Sequence, residues 1–176
     1  MKKIGLTGGI ASGKSEVSRW LRQHDVPILD ADWAARLVVT PGHAVYDAVV
    51  KEFGVGILQP DQQVHRAKLA DIIFNDSAAR KKLNAIMHPA IADWFEQESD
   101  RLAEAGEPFV VWDIPLLIEL GWQNKVDQVW VVRATRAQQI ERLRLRNGLS
   151  EDMAKQRLAA QLDPLLRENF ADVIID

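Results

Sequence analysis

Gly8-Gly9-Ile10-Ala11-Ser12-Gly13-Lys14-Ser15 is the most informative segment of this 176-residue chain. It fits the pattern G-x-x-x-x-G-K-[ST] without a mismatch, and it lies between a short apolar segment and an amphipathic one. Glycines let backbone N–H groups converge on phosphate oxygens, and the positive end of the following helix points at the same place. A glycine-rich turn without a ligand would leave the Lys14-Ser15 pair unexplained. The stretch therefore predicts a nucleotide-binding loop between a strand and a helix.

The side chains of this loop have separate expected tasks. Lys14 should reach the β- and γ-phosphates of the nucleotide, and the Ser15 hydroxyl should bind Mg²⁺. This cation is the cofactor that the motif implies, because it bridges those phosphates and offsets their charge. The residues expected to contact the nucleotide are Gly8, Gly9, Ile10, Ala11, Ser12, Gly13, Lys14, Ser15 and Glu16.

Strand-like segments alternate with helical ones along the rest of the chain, which predicts an α/β fold with a parallel sheet covered on both faces. The predicted strands are Lys3–Thr7, Val26–Leu29, Phe109–Trp112, Val126–Val132 and Val173–Ile175.

Two insertions interrupt this alternation. About eighty residues with helical periodicity separate the second and third strands, which predicts a helical subdomain in which one helix ends and another begins at His88-Pro89. The second insertion, Arg136–Leu162, reads as a helical hairpin that turns at Asn147-Gly148, with Ser150 as a candidate N-cap.

Composition excludes several classes of protein. The chain contains no cysteine, which rules out disulfides, thiolate zinc sites, iron–sulfur clusters and cysteine nucleophiles. No apolar run approaches the roughly 18 residues of a membrane span, and the glycine-rich stretch after Lys2-Lys3 is not a secretory core. The net charge of −3 gives no global field that would attract nucleic acid or acidic lipid. We therefore expect a cytoplasmic protein that binds neither membrane nor nucleic acid.

Two aspartates follow predicted strands and should lie at the carboxyl edge of the sheet, where the loop also lies. Asp32 is either the general base of a phosphoryl transfer or the N-cap of a helix over Trp33–Val38. Asp113 ends an apolar run and has the form of an acid that orders Mg²⁺, but it could equally cap the turn that follows.

Arginines concentrate in one segment, between Arg133 and Arg146, with five arginines against one acid. Arg142 and Arg146 are four residues apart and share a helix face, so a mobile hairpin could close them over the phosphates. The alternatives are a solvated helix face, or the contact surface of a nucleotide-dependent switch or an RNA-binding ATPase. Asn124-Lys125-Val126-Asp127 matches a guanine-reading string but precedes a strand instead of following one, which argues against guanine recognition.

Further short motifs are spread along the whole chain. They are the loop Thr7–Ser15, Asp30-Ala31-Asp32 with Ala35-Arg36 and Val39–Gly42, Leu83-Asn84 with His88-Pro89, Asp113–Leu117 with Glu119, and Ala171–Ile174. Together they resemble the dephospho-coenzyme A kinase family. The resemblance implies transfer of the γ-phosphoryl group of ATP to the ribose 3′-hydroxyl of dephospho-coenzyme A, the last step of coenzyme A synthesis. Another small alcohol or a nucleoside monophosphate as acceptor stays open as an alternative.

The resemblance also implies an architecture and a set of site residues. A single domain would have a five-stranded parallel core at about 1–30, 107–135 and 163–176, an acceptor-binding insertion at about 31–106 and a lid at about 136–162. Asp32 matches the family's proposed base, Arg142 matches a lid arginine on the transferring phosphates, and Arg146 is its neighbour. The acceptor-side motifs contain Asp32, Arg36, His88, Pro89, Leu116 and Leu117, and His88 could instead order a helix start.

Three departures from the family pattern accompany this resemblance. Ala11 stands where glycine is frequent, and Glu16 where threonine is common. The sequence ends at Asp176, whereas family members usually continue through an asparagine-containing turn into a final helix, so either the sequence is truncated or this member is short.

Overall fold

The computed structural model describes residues 1–176, which form five strands and eight α-helices. The strands are β1 (Lys2–Gly8), β2 (Ile28–Asp30), β3 (Phe109–Asp113), β4 (Gln128–Val132) and β5 (Val173–Ile175). The helices are α1 (Lys14–Gln23), α2 (Ala31–Leu37), α3 (Ala44–Phe53), α4 (Arg66–Asn75), α5 (Ser77–Glu104), α6 (Arg136–Asn147), α7 (Glu151–Ala159) and α8 (Pro164–Glu168). Short 3₁₀ turns lie at Val55–Ile57 and Trp122–Lys125. No helix combines the length and the hydropathy that crossing a bilayer requires.

All five strands are parallel and are ordered β2-β3-β1-β4-β5. β1 lies at the centre of the sheet, and its last five residues are buried because helices cover both faces of such a sheet. The α/β parallel sheet predicted from the sequence is therefore confirmed. Two strands begin two residues later than predicted, β2 at Ile28 and β4 at Gln128. Strand ends are the least determined part of a sequence pattern, since apolar residues also flank strands.

The chain divides into two compact units, Met1–Asp30 with Ser99–Asp176, and Ala31–Glu98. The first unit contains the sheet, α1 and the C-terminal helices, and one face of its core is formed by Ile4, Leu6, Leu21, Val111 and Val132. The second unit is helical, with a core of Val49, Ile57, Val64, Leu69 and Leu83. The predicted limits of an acceptor-binding insertion and of a lid stay predictions, because a compact unit is not in itself a binding function.

Helix α5 differs from the sequence-based expectation. A helix end was predicted at His88-Pro89, but α5 continues without interruption through Pro89. Leu83 before the proline, and Ile91 and Phe95 after it, are all buried. Burial on both sides of Pro89 stabilises a continuous helix enough to offset the missing N–H of the proline. The possibility that His88 orders a helix start is therefore wrong.

The second predicted insertion forms the expected hairpin of α6 and α7. Thr135 and Gln138 make a capping box at the start of α6, and Gly148 ends the helix with φ 63°. Ser150 caps α7 by accepting a hydrogen bond from the Met153 N–H at 3.3 Å. The turn and the N-cap lie where the sequence placed them, because local capping chemistry determines both.

Candidate active site

The loop between β1 and α1 has the backbone shape of a phosphate cradle. Gly13 precedes α1 with φ 109°, and Ala11 has φ 58°, a left-handed conformation that few residues other than glycine adopt. The Ser12 N–H donates to the Gly9 carbonyl at 3.1 Å, which closes the turn. An α-helix leaves its first N–H groups without carbonyl partners in its own preceding turn, so the start of α1 and its dipole favour an anion.

Close packing explains why glycine is required at the end of β1. A Cβ atom on Gly8 would lie 2.7 Å from the Val132 carbonyl oxygen of the neighbouring strand β4, and 2.6 Å from Ser12 Oγ. The backbone of β4 cannot move away without breaking its pairing with β1. Gly8 therefore lets the loop leave the sheet directly beside β4.

Lys14 and Asp113 form an ion pair at the carboxyl edge of the sheet. The Lys14 ammonium donates to Asp113 Oδ1, and Ser18 Oγ donates to Asp113 Oδ2 at 2.5 Å. Asp113 is 4% exposed, so its charge is held by these two partners rather than by water. The Asp113 carboxylate thus faces the loop and α1, and not the turn that follows β3.

Neighbouring strands bring other polar groups to the same edge. Asp30, the last residue of β2, pairs in register with Asp113, and its carboxylate accepts from Arg22 at 3.1 Å. Thr7 Oγ1 donates to the Pro115 carbonyl at 3.0 Å, which attaches β1 to the segment after β3. Parallel strands necessarily end together in this way, and the resulting edge is where open α/β sheets bind ligands.

The α6–α7 hairpin contacts the loop directly. Arg142 Nη1 donates to the carbonyls of Ala11 at 3.0 Å and Ser12 at 2.8 Å. Gln139 Nε2 donates to the Ile10 carbonyl at 2.8 Å, and Gln161 Oε1 accepts from the Ile10 N–H at 2.8 Å. Arg142, predicted to lie near the phosphates, is therefore held against the loop that would bind them.

Arg167 is a charged residue of this site that the sequence did not indicate. Its side chain is buried and donates through Nη2 to Glu119 Oε1 at 2.9 Å. Its Nη1 lies 3.3 Å from where a Cβ on Gly9 would be, so the guanidinium lies close over the loop. No sequence signal marks Arg167, since its burial results from tertiary packing. Gln139 could have been found, because it lies three residues before Arg142 and shares its helix face.

The remaining predicted residues of the first unit lie apart from the loop contacts. Ser15 and Glu16 are exposed in the first turn of α1, and Glu16 is paired with Arg19 at 2.7 Å. Arg146 is exposed and contacts its neighbour Asn147 at 3.1 Å. Leu116 is half exposed, whereas Leu117 is fully buried, with a methyl group in the space that a Cβ on Gly5 would need. Leu117 thus packs in the core, and its role toward an acceptor stays a prediction.

Four predicted residues belong to the second unit. Asp32 lies in the first turn of α2, which begins at Ala31, so the N-cap alternative for Asp32 is wrong. The helix starts directly after β2, so the position before its first residue is occupied by Asp30 and not by Asp32. Asp32 and Arg36 are exposed. His88 and Pro89 lie in mid-α5, and burial lowers the pKa of the His88 imidazole, which favours its neutral form.

The oxygen groups at the loop fit a magnesium ion better than a metal that needs a full protein cage. The described residues contain no group of three or more His, Asp or Glu side chains that could enclose a cation. Mg²⁺ usually takes one or two protein oxygens and completes its shell with water and phosphate. The Ser15 hydroxyl and the Asp113 carboxylate are donors of this kind.

Comparison with known proteins identifies the family of the chain. The family model described as dephospho-CoA kinase matches residues 2–176. The chain belongs to the dephospho-CoA kinase family. The dephospho-CoA kinase of Geobacter sulfurreducens is 48% identical over 176 residues, which are 100% of this chain and 89% of that protein. The one from Geobacillus kaustophilus is 47% identical over 173 residues, 98% of this chain and 86% of that protein.

A solved structure has the same fold. Dephospho-CoA kinase from Campylobacter jejuni aligns with a TM-score of 0.73 and 26% identity, covering 98% of this chain and 86% of that one. The family resemblance and the kinase class expected from the sequence are therefore confirmed. The individual roles of the site residues are not tested by these similarities and stay predictions.

Proposed function

We propose that the chain transfers the γ-phosphoryl group of ATP to the ribose 3′-hydroxyl of dephospho-coenzyme A, giving coenzyme A and ADP. One observation carries the proposal. A phosphate loop whose lysine meets a buried aspartate at the carboxyl edge of the sheet occurs in a chain that matches the dephospho-CoA kinase family over residues 2–176. The phosphate loop supports ATP as the phosphoryl donor, and membership of the family supports dephospho-coenzyme A as the acceptor.

Positioning and charge stabilisation account for most of the catalysis in phosphoryl transfer. Lys14 has a long, flexible side chain that can exchange the Asp113 carboxylate for the β- and γ-phosphate oxygens. The N–H groups of the loop and of the start of α1 bind the same phosphates. Arg142, already held at the loop carbonyls, adds positive charge where negative charge spreads over the transferring group.

Mg²⁺ is the cofactor that we propose, with Ser15 and Asp113 as its protein ligands. When bound, it would neutralise charge on the β- and γ-phosphates. Exchange of Lys14 from Asp113 to phosphate would leave a carboxylate oxygen for the cation, while Ser18 continues to hold the other oxygen. Asp113 would therefore pair with Lys14 before the nucleotide binds and with Mg²⁺ afterwards.

Asp32 is the proposed general base, accepting the proton of the 3′-hydroxyl as the new O–P bond forms. It lies two residues after Asp30, which ends β2 beside Asp113. Arg36 follows Asp32 by one helical turn, and we propose it as a contact for the anionic acceptor together with His88, Pro89, Leu116 and Leu117. We also propose that the chain acts in the cytoplasm and binds no nucleic acid.

The test is acceptor-dependent ADP release in the presence of ATP and Mg²⁺. Dephospho-coenzyme A, adenosine monophosphate and no acceptor are compared for the native chain and for Asp32→Asn. Turnover should occur with dephospho-coenzyme A alone, and Asp32→Asn should lower kcat by about 10²- to 10⁴-fold, the usual contribution of a general base.

Asp47→Asn is the matched control, because Asp47 is also an exposed acid in the first turn of a helix of the second unit. It changes the charge and the helix-dipole interaction in the same way and should leave kcat unaltered. Equal turnover with adenosine monophosphate would instead identify a nucleoside monophosphate kinase. Full activity of Asp32→Asn would refute the role of the base.

A further inference from the structure

Two glutamine side chains bind the backbone of Ile10 in the phosphate loop, one at its N–H and the other at its carbonyl. The Ile10 N–H donates to Gln161 Oε1 at 2.8 Å, and the Ile10 carbonyl accepts from Gln139 Nε2 at 2.8 Å. Gln139 is only 8% exposed, so water does not readily replace it. The two side-chain amides therefore have opposite tasks, since Gln139 must donate and Gln161 must accept.

Peptide planarity transmits these contacts to the inside of the loop. In a trans peptide the C=O and the following N–H point in opposite directions, and every peptide of this chain is trans. Drawing the Ile10 carbonyl toward Gln139 therefore turns the Ala11 N–H to the other side. By the same argument, the contact of Arg142 with the Ser12 carbonyl turns the Gly13 N–H away from the hairpin.

The conformation of Ala11 shows why this orientation needs support. Ala11 has φ 58°, which a residue with a Cβ atom rarely adopts, so the peptide on its N-terminal side would relax toward other orientations if left unheld. The contact of Gln139 is on the carbonyl of that same peptide. A loop with this peptide turned would present an oxygen, not an N–H, to a phosphate.

We propose that Gln139 is a positioning residue for phosphate binding, which acts by donating to the Ile10 carbonyl and thereby aiming the Ala11 N–H at the nucleotide phosphates. Gln161 supports it by fixing the preceding peptide. This inference rests on the nucleotide-binding half of the proposed function and does not depend on which acceptor is used.

A pair of isosteric variants separates hydrogen bonding from charge. Gln139→Glu and Gln161→Glu both add one negative charge near Ile10, but only Gln139→Glu replaces a donor by an acceptor. Gln161→Glu keeps the acceptor for the Ile10 N–H. We expect ATP to bind at least about tenfold more weakly to Gln139→Glu than to Gln161→Glu, the cost of leaving the partly buried Ile10 carbonyl without its donor. Calorimetric titration of each purified chain with ATP and Mg²⁺, without acceptor, measures this.

A second pair keeps the proposal falsifiable if Gln139→Glu fails to fold in a thermal melt. Gln139→Leu removes the donor without adding a charge and should bind ATP more weakly than the native chain; an unchanged affinity would overturn the proposal. Gln156→Leu alters an exposed glutamine on α7 of the same hairpin and should leave ATP affinity unchanged.

Equal weakening by Gln139→Glu and Gln161→Glu would also overturn the proposal, because charge would then explain the whole effect. A different result would show that the proposed function is wrong while the role of Gln139 is right. A native chain that binds ATP but does not phosphorylate dephospho-coenzyme A would refute the acceptor and leave the role of Gln139 intact. A native chain that does not bind ATP would overturn both.

Discussion

The Lys14–Asp113 ion pair bears on the stability of the chain and on its proposed chemistry. The pair is largely buried, with side-chain exposures of 16% and 5%, so each charge depends on the other for compensation. Desolvation of two such charges costs nearly as much as their attraction returns, but removing one partner leaves an uncompensated charge. In the proposed function Lys14 leaves Asp113 for phosphate, and the buried Asp113 carboxylate then needs a replacement cation.

This reasoning predicts that removing both charges destabilises the chain less than removing Lys14 alone. Lys14→Met should lower the free energy of unfolding by about 3 kcal/mol, because Asp113 is left charged and buried. The double variant Lys14→Met/Asp113→Asn should recover a large part of that loss, since no charge is then buried. Urea unfolding of the native chain, both single variants and the double variant measures the cycle. A double variant no more stable than Lys14→Met would show that the pair does not carry the effect.

Among the helices, local sequence signals predicted the α6–α7 hairpin correctly but not the course of α5. The hairpin of α6 and α7 follows from a capping box, a left-handed glycine and a serine N-cap, all of which are local. The end predicted at His88-Pro89 was wrong because buried residues on both sides of Pro89 hold α5 together. Proline is a strong local breaker, but it is overridden when burial of the flanking turns offsets the lost hydrogen bond.

Helix α5 should therefore become more stable when its proline is replaced. Pro89→Ala restores an N–H that can donate to the Ala85 carbonyl four residues earlier, and we expect a gain of about 1–3 kcal/mol in the free energy of unfolding. Pro60→Ala is a control of opposite sign, because Pro60 lies in an exposed turn where proline restricts the unfolded chain. Thermal melting compares the two variants. A loss of stability in Pro89→Ala would mean that the packing of α5 requires the proline.

At the scale of the whole molecule, charge distribution bears on the choice between a small-molecule kinase and an RNA-dependent ATPase. The net charge is −3, and the basic segment Arg133–Arg146 is partly engaged within the fold. Arg133 Nη2 donates to Asp176 at 2.9 Å and Nη1 to Glu168 at 3.4 Å, while Arg142 contacts the loop. These arginines are less available to a phosphate backbone than the sequence suggests.

Ligand-linked stability should distinguish the two classes. ATP with Mg²⁺ at a hundredfold excess over its Kd should raise the free energy of unfolding by about 2.7 kcal/mol, and Lys14→Met should abolish the gain. Single-stranded RNA at the same ionic strength should leave the melting temperature unchanged. An RNA-dependent rise that disappears with added salt would favour the RNA-binding alternative.

Local sequence patterns were enough to predict the parallel α/β fold, the phosphate loop with Lys14 and Ser15, the capped hairpin and the family. These features depend on residues close together in the chain, where periodicity, glycine geometry and capping act directly. Tertiary packing alone brings Lys14 to Asp113, places Gln139, Gln161 and Arg142 on the loop, and buries Arg167 over Gly9. Such contacts join residues about a hundred or more positions apart. They are selected by how the strands and helices pack, which no local pattern encodes.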